Sequence, residues 1–489
     1  MAISGRGIEF QSMPSGLHAV NKDTIYFVRP PFVGISVFIN EPTLDESQDR
    51  GAHMVSVGIL VTPTMETGLC GRPWKHLEFL QNEIGHLVHS SKDYSNLKQY
   101  FDKRGILLNH TDDVLVSLVD EDNDDRRYNF ASPSGKSQYS RTRCLSTSET
   151  STNSYQLSIS PTHPAHHFPD FVHLCGPNIF LLWKAALLKK RILFYSPPPV
   201  LNSCYAVYGT CLLANISTQI ARTINKKVEK IKPLFNVGVS DISLIESMEG
   251  GYVACTTDQI LQNKNNLYDL LVNMSNDDIN NNSHPTLIAS PGSKLSTKIS
   301  VTDIRRYRVL LKILVSHGIN HYSDEEDGEN MTDTWRKLMF GGWFWWYGRD
   351  GYQRLYDDDH DIEGENNEIL LGNQDDEPSL LNVEGSRETL EIEVELIRFF
   401  QALTTNLFNM LRTVSSSVYD SGEIILLYPD HLIQLGLDPY EDGAFVEELA
   451  EMYFGKEVEV IGKGGNFLIQ SLKNLYAYLN ELFCYCFGF

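Results

Sequence analysis

The fold class is indicated most clearly by two nearby segments, Leu174-Cys-Gly-Pro-Asn-Ile-Phe-Leu-Leu-Trp183 and Lys190-Arg-Ile-Leu-Phe-Tyr-Ser196. Residues 179–189 are apolar on almost every side of a helix, so this helix is predicted to be buried. Gly176-Pro177 places Pro at its first position, where a missing N–H costs no hydrogen bond. Residues 192–195 form a short continuous apolar run, typical of strands inside parallel sheets. This order predicts an α/β domain.

The alternation of helix and strand continues toward the carboxyl terminus. Pro197 to Pro199 end the strand, and Ser203 is predicted to cap a helix that extends to Leu213. A second strand is expected at 251–255, with Thr256-Thr257-Asp258 as the cap of the helix that follows. We therefore predict a central α/β lobe over residues 166–320.

The two flanking regions have different patterns. Three β-rich runs, at 25–28, 35–39 and 54–61, precede a helix that starts near Trp74 and repeats apolar residues every 3.6 positions. They predict an α+β lobe over residues 14–118. A long amphipathic helix at 396–411, with further helices at 442–453 and 467–482, predicts a mostly helical lobe over residues 389–489.

Two polar insertions separate these lobes. Residues 119–165 begin with acids and continue as a Ser/Thr-rich tract, and residues 321–388 include ten acids and no Lys or Arg between Asp357 and Glu377. Such segments bury too little apolar surface to offset chain entropy, so both are predicted to be disordered at least in part. The second insertion also contains Gly342-Trp-Phe-Trp-Trp-Tyr347, which is either a core anchor or a hot spot for a partner protein.

Composition and charge exclude several classes of protein. The formal net charge of −22 argues against a nucleic-acid-binding surface, which needs clustered Lys and Arg. The first residues lack the apolar core of a signal peptide, and the most apolar run, near 180–188, is too short to span a bilayer. The eight cysteines show no zinc-type spacing and are expected to be reduced thiols in the cytoplasm.

No motif for bond-making chemistry stands out, and no metal or cofactor is expected. Glu83, His86 and His89 have metal-ligand spacing on a helix, but they lie mostly opposite its apolar stripe and are interpreted as a solvated face. The histidines at 163, 166 and 167 lack further ligands at zinc spacing. Cys255 is interpreted as a buried structural thiol rather than a nucleophile. No residue is assigned as catalytic.

The carboxyl-terminal residues Phe483-Cys-Tyr-Cys-Phe-Gly-Phe489 leave two interpretations open. The tail either folds back on the last helix, or Cys484 and Cys486 carry acyl chains such as palmitate. Two chains would anchor a protein far better than one.

Several of these segments resemble those of the tripartite DENN-domain proteins, most closely the LCHN-like branch. The resemblance rests on the stretch quoted first and on four further segments: 14–28, 233–242, 251–258 and 435–449. It implies a longin-like upstream lobe, a central α/β DENN lobe and a helical downstream lobe. It also implies guanine nucleotide exchange on a Rab-type small GTPase in vesicle trafficking, with the contact expected around Ser240, Asp241 and the loop after Val28.

Three functions remain open from the sequence. The first is an exchange factor for a Rab-type GTPase. The second is a DENN-fold scaffold that binds a GTPase or a trafficking partner without exchange, and the third is a cytosolic α/β enzyme, which the missing motifs disfavour. The protein is expected in the cytoplasm and, through its tail, peripherally on an endomembrane or a lipid droplet.

Overall fold

The computed structural model of the 489-residue chain describes residues 7–14, 16–42, 52–64, 67–90, 93–104, 159–224, 229–275, 284–317, 391–417 and 424–461. The strands in this part of the chain are β1 Lys22–Arg29, β2 Phe32–Pro42, β3 Ala52–Val61, β4 Ile192–Tyr195, β5 Lys232–Asn236, β6 Tyr252–Thr256, β7 Leu270–Asn273, β8 Thr286–Ala289, β9 Ile425–Leu427 and β10 Val458–Val460.

The α-helices of the same residues fall before, between and after these strands. They are α1 Ile8–Gln11, α2 Leu77–His89, α3 Ser95–Arg104, α4 Phe168–Cys175, α5 Asn178–Leu187, α6 Leu201–Leu213, α7 Thr218–Thr223, α8 Ile242–Glu246, α9 Gln259–Gln262, α10 Val301–Ser316, α11 Ile392–Ser417, α12 Pro429–Gln434 and α13 Gly443–Phe454. Four short 3₁₀ helices add Leu17–Ala19, Pro73–His76, Pro164–His167 and Val239–Asp241.

The chain divides into two compact units. Unit 1 comprises residues 1–167, 189–293 and 388–391, and unit 2 comprises residues 168–188, 294–387 and 392–489. The chain therefore leaves unit 1 after His167 and returns to it at Lys189. The three lobes and two insertions expected from the sequence are defined by family resemblance and composition, and their boundaries stay a prediction.

Unit 1 is organised around one eight-stranded mixed sheet with the order β3-β2-β1-β5-β6-β4-β7-β8. Strands β1 to β3 pair antiparallel as a meander, whereas β5, β6, β4 and β7 pair parallel. Strand β8 is the last strand of the sheet and pairs antiparallel with β7. Helix α2 covers β2 and β3, and α6 covers β1, β5 and β6. The antiparallel and parallel parts of the sheet meet where β1 pairs antiparallel with β5, at Phe27 and Phe235.

Unit 2 is mostly helical. Helix α11 packs on α4 and α10, and the core of the unit contains Trp183 from α5, whose Nε1 donates to Thr404 Oγ1 at 2.9 Å. Phe408 and Tyr453 meet edge to face at 4.9 Å between ring centroids. A two-stranded parallel sheet, β9 with β10, lies beside α13. None of the helices within the described ranges is long and apolar enough to cross a membrane.

The predicted fold class is confirmed, because the chain combines a large mixed sheet with helical layers. The strands expected at 25–28, 35–39, 54–61, 192–195 and 251–255 are all present, as is the helix expected at 396–411. The helix predicted at 467–482, the acidic run and the Trp-rich segment lie outside the described residues. At the end of the predicted linker, the described residues 159–167 include the 3₁₀ helix Pro164–His167.

Two capping predictions were wrong. Helix α5 begins at Asn178, so Pro177 occupies the N-cap and not the first helical position. Helix α6 begins at Leu201, which leaves Ser203 inside the helix, fully buried, with its hydroxyl 2.6 Å from that of Ser196. The cap comes instead from β1, because Asp23 Oδ2 accepts a hydrogen bond from the Val200 N–H at 2.8 Å.

Candidate functional site

The candidate site lies in unit 1, where the antiparallel and parallel parts of the sheet join. Phe235 of β5 has a left-handed backbone with φ of 56°, and the pairing of β5 with β6 shifts register between Pro233 and Phe235. The Phe235 ring packs on that of Tyr26 at 5.3 Å between centroids, and both side chains are fully buried. The irregular strand thus fixes the position of the turn that follows it.

That turn contains the two residues predicted to contact a GTPase. Asp241 ends the 3₁₀ helix Val239–Asp241 and is buried. Its Oδ2 accepts a hydrogen bond from the Gly238 N–H at 2.9 Å, and its Oδ1 accepts one from Gln11 Nε2 at 2.7 Å. The carboxylate therefore ties the turn after β5 to helix α1, which lies 230 residues earlier in the chain.

The same glutamine also reaches the loop after Val28. Gln11 Nε2 lies 3.4 Å from the Val28 carbonyl oxygen, at the end of β1, so one buried amide connects α1, the β1–β2 hairpin and the 239–241 turn. Gln11 Oε1 is buried and accepts no hydrogen bond from the described residues. The structure thus brings Asp241 and the loop after Val28 to a common contact.

Exposed side chains border this buried connection. Ser240 is exposed, as are Pro30 and Pro31 at the tip of the hairpin. Val239 and Phe10 are apolar residues with 46% and 68% of their surface accessible. We call Phe10, Val239 and Ser240, with the hairpin tip at 30–31, the turn surface. Its rigid base and its apolar exposed residues are features that favour binding to another protein.

Cys255 is confirmed as a buried thiol. It lies in β6 with its Sγ 3.7 Å from that of Cys204, and both side chains are inaccessible to solvent. Burial raises the pKa of Cys255 well above its usual value, and the neighbouring Cys204 raises it further. A nucleophilic cysteine needs the opposite shift, since the thiolate is the reactive form.

The two histidine clusters differ from the sequence interpretation in one respect. His86 and His89 are exposed as expected, but Glu83 is buried, and Asn96 Nδ2 of α3 donates to its Oε2 at 3.3 Å. His163 is packed edge to face against Trp74 at 4.7 Å, and His167 stacks on Tyr205 at 4.0 Å. Within the described ranges, no three His, Cys, Asp or Glu side chains are grouped so that they could hold a metal ion.

The two lipid-anchor candidates cannot be placed in the same way. Cys484 and Cys486 lie outside the described residues, which end at Ile461. Their acylation stays a prediction.

Comparison with known proteins identifies the family. A family model described as DENN domain-containing protein 11 matches residues 2–284 of the chain. The protein of that name from Mus musculus is 30% identical over 449 residues, which cover 91% of this chain and 74% of the relative. The Xenopus laevis protein is 29% identical over 448 residues, 91% of this chain and 77% of the relative. The Rattus norvegicus protein is 36% identical over 272 residues, 55% of this chain and 52% of the relative.

These matches make the chain a DENN-domain protein, as the sequence resemblance predicted. Within that class, it belongs to the DENN domain-containing protein 11 family. The family model ends at residue 284, so it includes all the strands of unit 1 up to β7 and both parts of the candidate site.

Proposed function

We propose that the protein is a guanine nucleotide exchange factor for a Rab-type small GTPase. Membership of the DENN family carries the proposal, because proteins of this family generally act on Rab GTPases. The turn surface supports it, since it joins exposed apolar groups to a buried hydrogen-bonded base. Val239 and Ser240 would meet the GTPase directly, and Asp241 would act as a positioning residue that holds their turn in place.

Exchange by this route requires no bond-making residue. The protein binds the nucleotide-free GTPase more tightly than the loaded form, and linkage then requires that GDP binds the complex more weakly by the same factor. Contacts with nucleotide and Mg²⁺ order the switch segments of a GTPase, so a surface that holds those segments elsewhere promotes GDP release. The fixed base of the turn surface would resist the return of the switches.

The test is GDP release from a panel of purified Rab proteins. We expect the protein to accelerate release from at least one member by tenfold or more, that is about 1.4 kcal/mol of selective stabilisation. Binding to a GTPase without acceleration would instead identify the runner-up, a DENN-fold scaffold. If the protein neither binds nor accelerates any member of the panel, the proposal is contradicted.

A double substitution on the turn surface is expected to abolish that acceleration. Val239→Arg with Ser240→Arg places two long cations where an apolar contact is proposed, and loss of such a contact costs at least tenfold. Thr286→Arg with Ile288→Arg is the matched control, because these residues are exposed on β8, at the far edge of the same sheet. The thermal midpoints of both variants should match that of the parent. Equal loss of exchange in the two variants would remove the turn surface from the mechanism.

Membrane attachment through the tail is a second part of the proposal. Acylation of Cys484 and Cys486 would concentrate the protein beside a membrane-bound GTPase on an endomembrane or a lipid droplet, without any new contact between the proteins. Cys484→Ser with Cys486→Ser is therefore expected to move most of the protein from the membrane fraction to the soluble fraction. Cys70→Ser is the control, and an unchanged distribution of the double variant would exclude the anchor.

A further inference from the structure

An unusual concentration of basic residues lies at the amino ends of two parallel strands of the sheet, β4 and β5. Residues 189–191 and 222–232 include eight of the 41 Lys and Arg of the chain, and only one acid, Glu229. In a protein of net charge −22, this local excess of positive charge needs a reason. The sequence alone does not show that the two segments meet, because 30 residues separate them.

The fold brings residues 189–191 and 230–232 of these two segments together. Lys190 and Arg191 directly precede β4, and Lys230 and Lys232 lie at the start of β5, so both pairs lie at the amino ends of parallel strands that β6 separates. Strand β6 lies between them, and Gly251, the residue before it, contacts both: Lys232 N donates to the Gly251 carbonyl at 3.1 Å, and the Lys189 carbonyl lies against Gly251. Adjacent strands are about 4.8 Å apart, so the lysines span roughly 10 Å. We call residues 189–191 and 230–232 the basic edge.

Electrostatics support this proximity. The pKa of Lys189 is lowered to about 8, mainly by burial, with a smaller lowering by the nearby charge of Lys230 that the opposing effect of Cys211 exceeds. Lys230 is exposed, and Lys190, Arg191 and Lys232 are partly exposed. Two acids at this edge are paired: Asp269 Oδ1 accepts from Arg191 at 2.8 Å, and Glu229 lies 3.7 Å from Lys232 Nζ. A third acid, Glu249, lies nearby, and its backbone carbonyl accepts a hydrogen bond from Lys232 Nζ at 3.2 Å.

We propose that the basic edge is a docking surface for an anionic membrane. The amino ends of β4 and β5 place these cations within roughly 10 Å of one another, which suits an array of lipid headgroups. Four of the five cations of the basic edge are lysines, which act as flexible point charges, whereas recognition of one defined phosphate favours the planar fork of arginine. Juxtamembrane lysines gain affinity from the negative surface potential of anionic lipids, and this attraction falls off within a Debye length of about 10 Å.

The acidic remainder of the chain is compatible with such docking. Charges more than a Debye length from the bilayer are screened, so the net charge of −22 counts for little where one edge alone approaches the surface. The turn surface follows the carboxyl end of β5, whereas the basic edge is at its amino end. The two surfaces are therefore separated by the length of the strand, roughly 15 Å. Docking of the basic edge on a membrane does not depend on exchange activity at the turn surface.

Vesicle flotation tests the proposal on the full chain with Cys484→Ser and Cys486→Ser, so that no acyl chain contributes. We expect binding to phosphatidylcholine vesicles that contain phosphatidylserine, no binding to phosphatidylcholine alone, and a decline with added salt. Each surface lysine is worth roughly fivefold in partitioning, so Lys190→Gln, Lys230→Gln and Lys232→Gln together should reduce binding by tenfold or more.

The control removes the same charge elsewhere. Lys98, Lys103 and Lys312 are exposed, and their replacement by Gln changes the net charge by the same amount, so binding should stay within about twofold of the parent, as expected if the local field governs binding. Equal loss in both triple variants, or no binding of the parent to anionic vesicles, would overturn the proposal. Binding that appears only after deletion of residues 357–377 would also overturn the proposal, because it would mean that the basic edge binds the acidic run of the same chain.

Discussion

Replacement of Lys184 by Met is expected to destabilise unit 2 by about 3–5 kcal/mol, because it removes one partner from a buried set of charges. Lys184 Nζ donates to Asp303 Oδ2 and to Asp442 Oδ1, each at 2.8 Å, and all three side chains are almost inaccessible to solvent. Burial alone would lower the pKa of Lys184, but the two carboxylates outweigh it and raise that pKa. The lysine is therefore charged at neutral pH.

The consequence follows from what remains in the variant. Asp303 would keep Arg306 as a more distant cation, at 3.7 Å, and Asp442 would lose the ammonium group on its Oδ1. A buried carboxylate without its partner must either be protonated or draw water into the core, and both cost free energy. The Met side chain fills most of the space of the lysine stem, so the loss would report the charge rather than a cavity.

A surface pair in the same unit provides the control. Lys298 Nζ lies 3.4 Å from Glu441 Oε1, and the lysine side chain is 77% exposed. Lys298→Met should therefore cost less than about 1 kcal/mol. Urea unfolding, with hydrogen exchange of the α10 and α13 amides as the local readout, separates the two variants. Similar losses in both would mean that burial does not govern the strength of this ion pair.

Local sequence patterns were sufficient for most elements of unit 1. The apolar run at 192–195 is a strand with the predicted limits and the run at 54–61 nearly so, whereas the strands at 25–28 and 35–39 extend further, to 22–29 and 32–42; alternation and continuous burial leave a signal within a few residues. Strand β5 was missed as a strand. It contains Pro233, its register is irregular, and Phe235 has a positive φ, so it lacks the features by which a strand is predicted.

The errors at Glu83 and Ser203 share one physical cause, which is contact between distant segments. Glu83 was placed on a solvated face because the pattern of its own helix suggests one, but it is buried and accepts a hydrogen bond from Asn96 of the next helix. Ser203 was predicted to cap helix α6 from its local sequence. The group that caps this helix is Asp23, which lies in a strand and precedes Val200 by 177 residues. The bond between Gln11 and Asp241 is likewise invisible to any local pattern, so the turn surface could be predicted only as separate residues.

Gly251→Ala is the second substitution with a large expected effect. A Cβ added at Gly251 would collide with the carbonyl group of Lys189, and the backbone atoms on both sides of this contact cannot rotate away as a side chain could. Lys189 is itself held in the left-handed region with φ of 50°, and Gly251 accepts a hydrogen bond from Lys232 N. Overpacking of this kind costs about 1–3 kcal/mol where side chains can yield, and we expect the upper end of that range or more here.

The same change at Gly85 gives the opposite sign. Gly85 is exposed within α2, and nothing lies within 4 Å of an added Cβ, so Gly85→Ala should stabilise the helix by up to about 1 kcal/mol. Thermal unfolding of the two variants measures the difference directly. Because Gly251 spaces β4 from β5 at the basic edge, Gly251→Ala should also weaken binding to anionic vesicles below its unfolding midpoint, whereas Gly85→Ala should not. A stable Gly251→Ala protein with parental vesicle binding would show that the close contact with Lys189 does not determine the geometry of that edge.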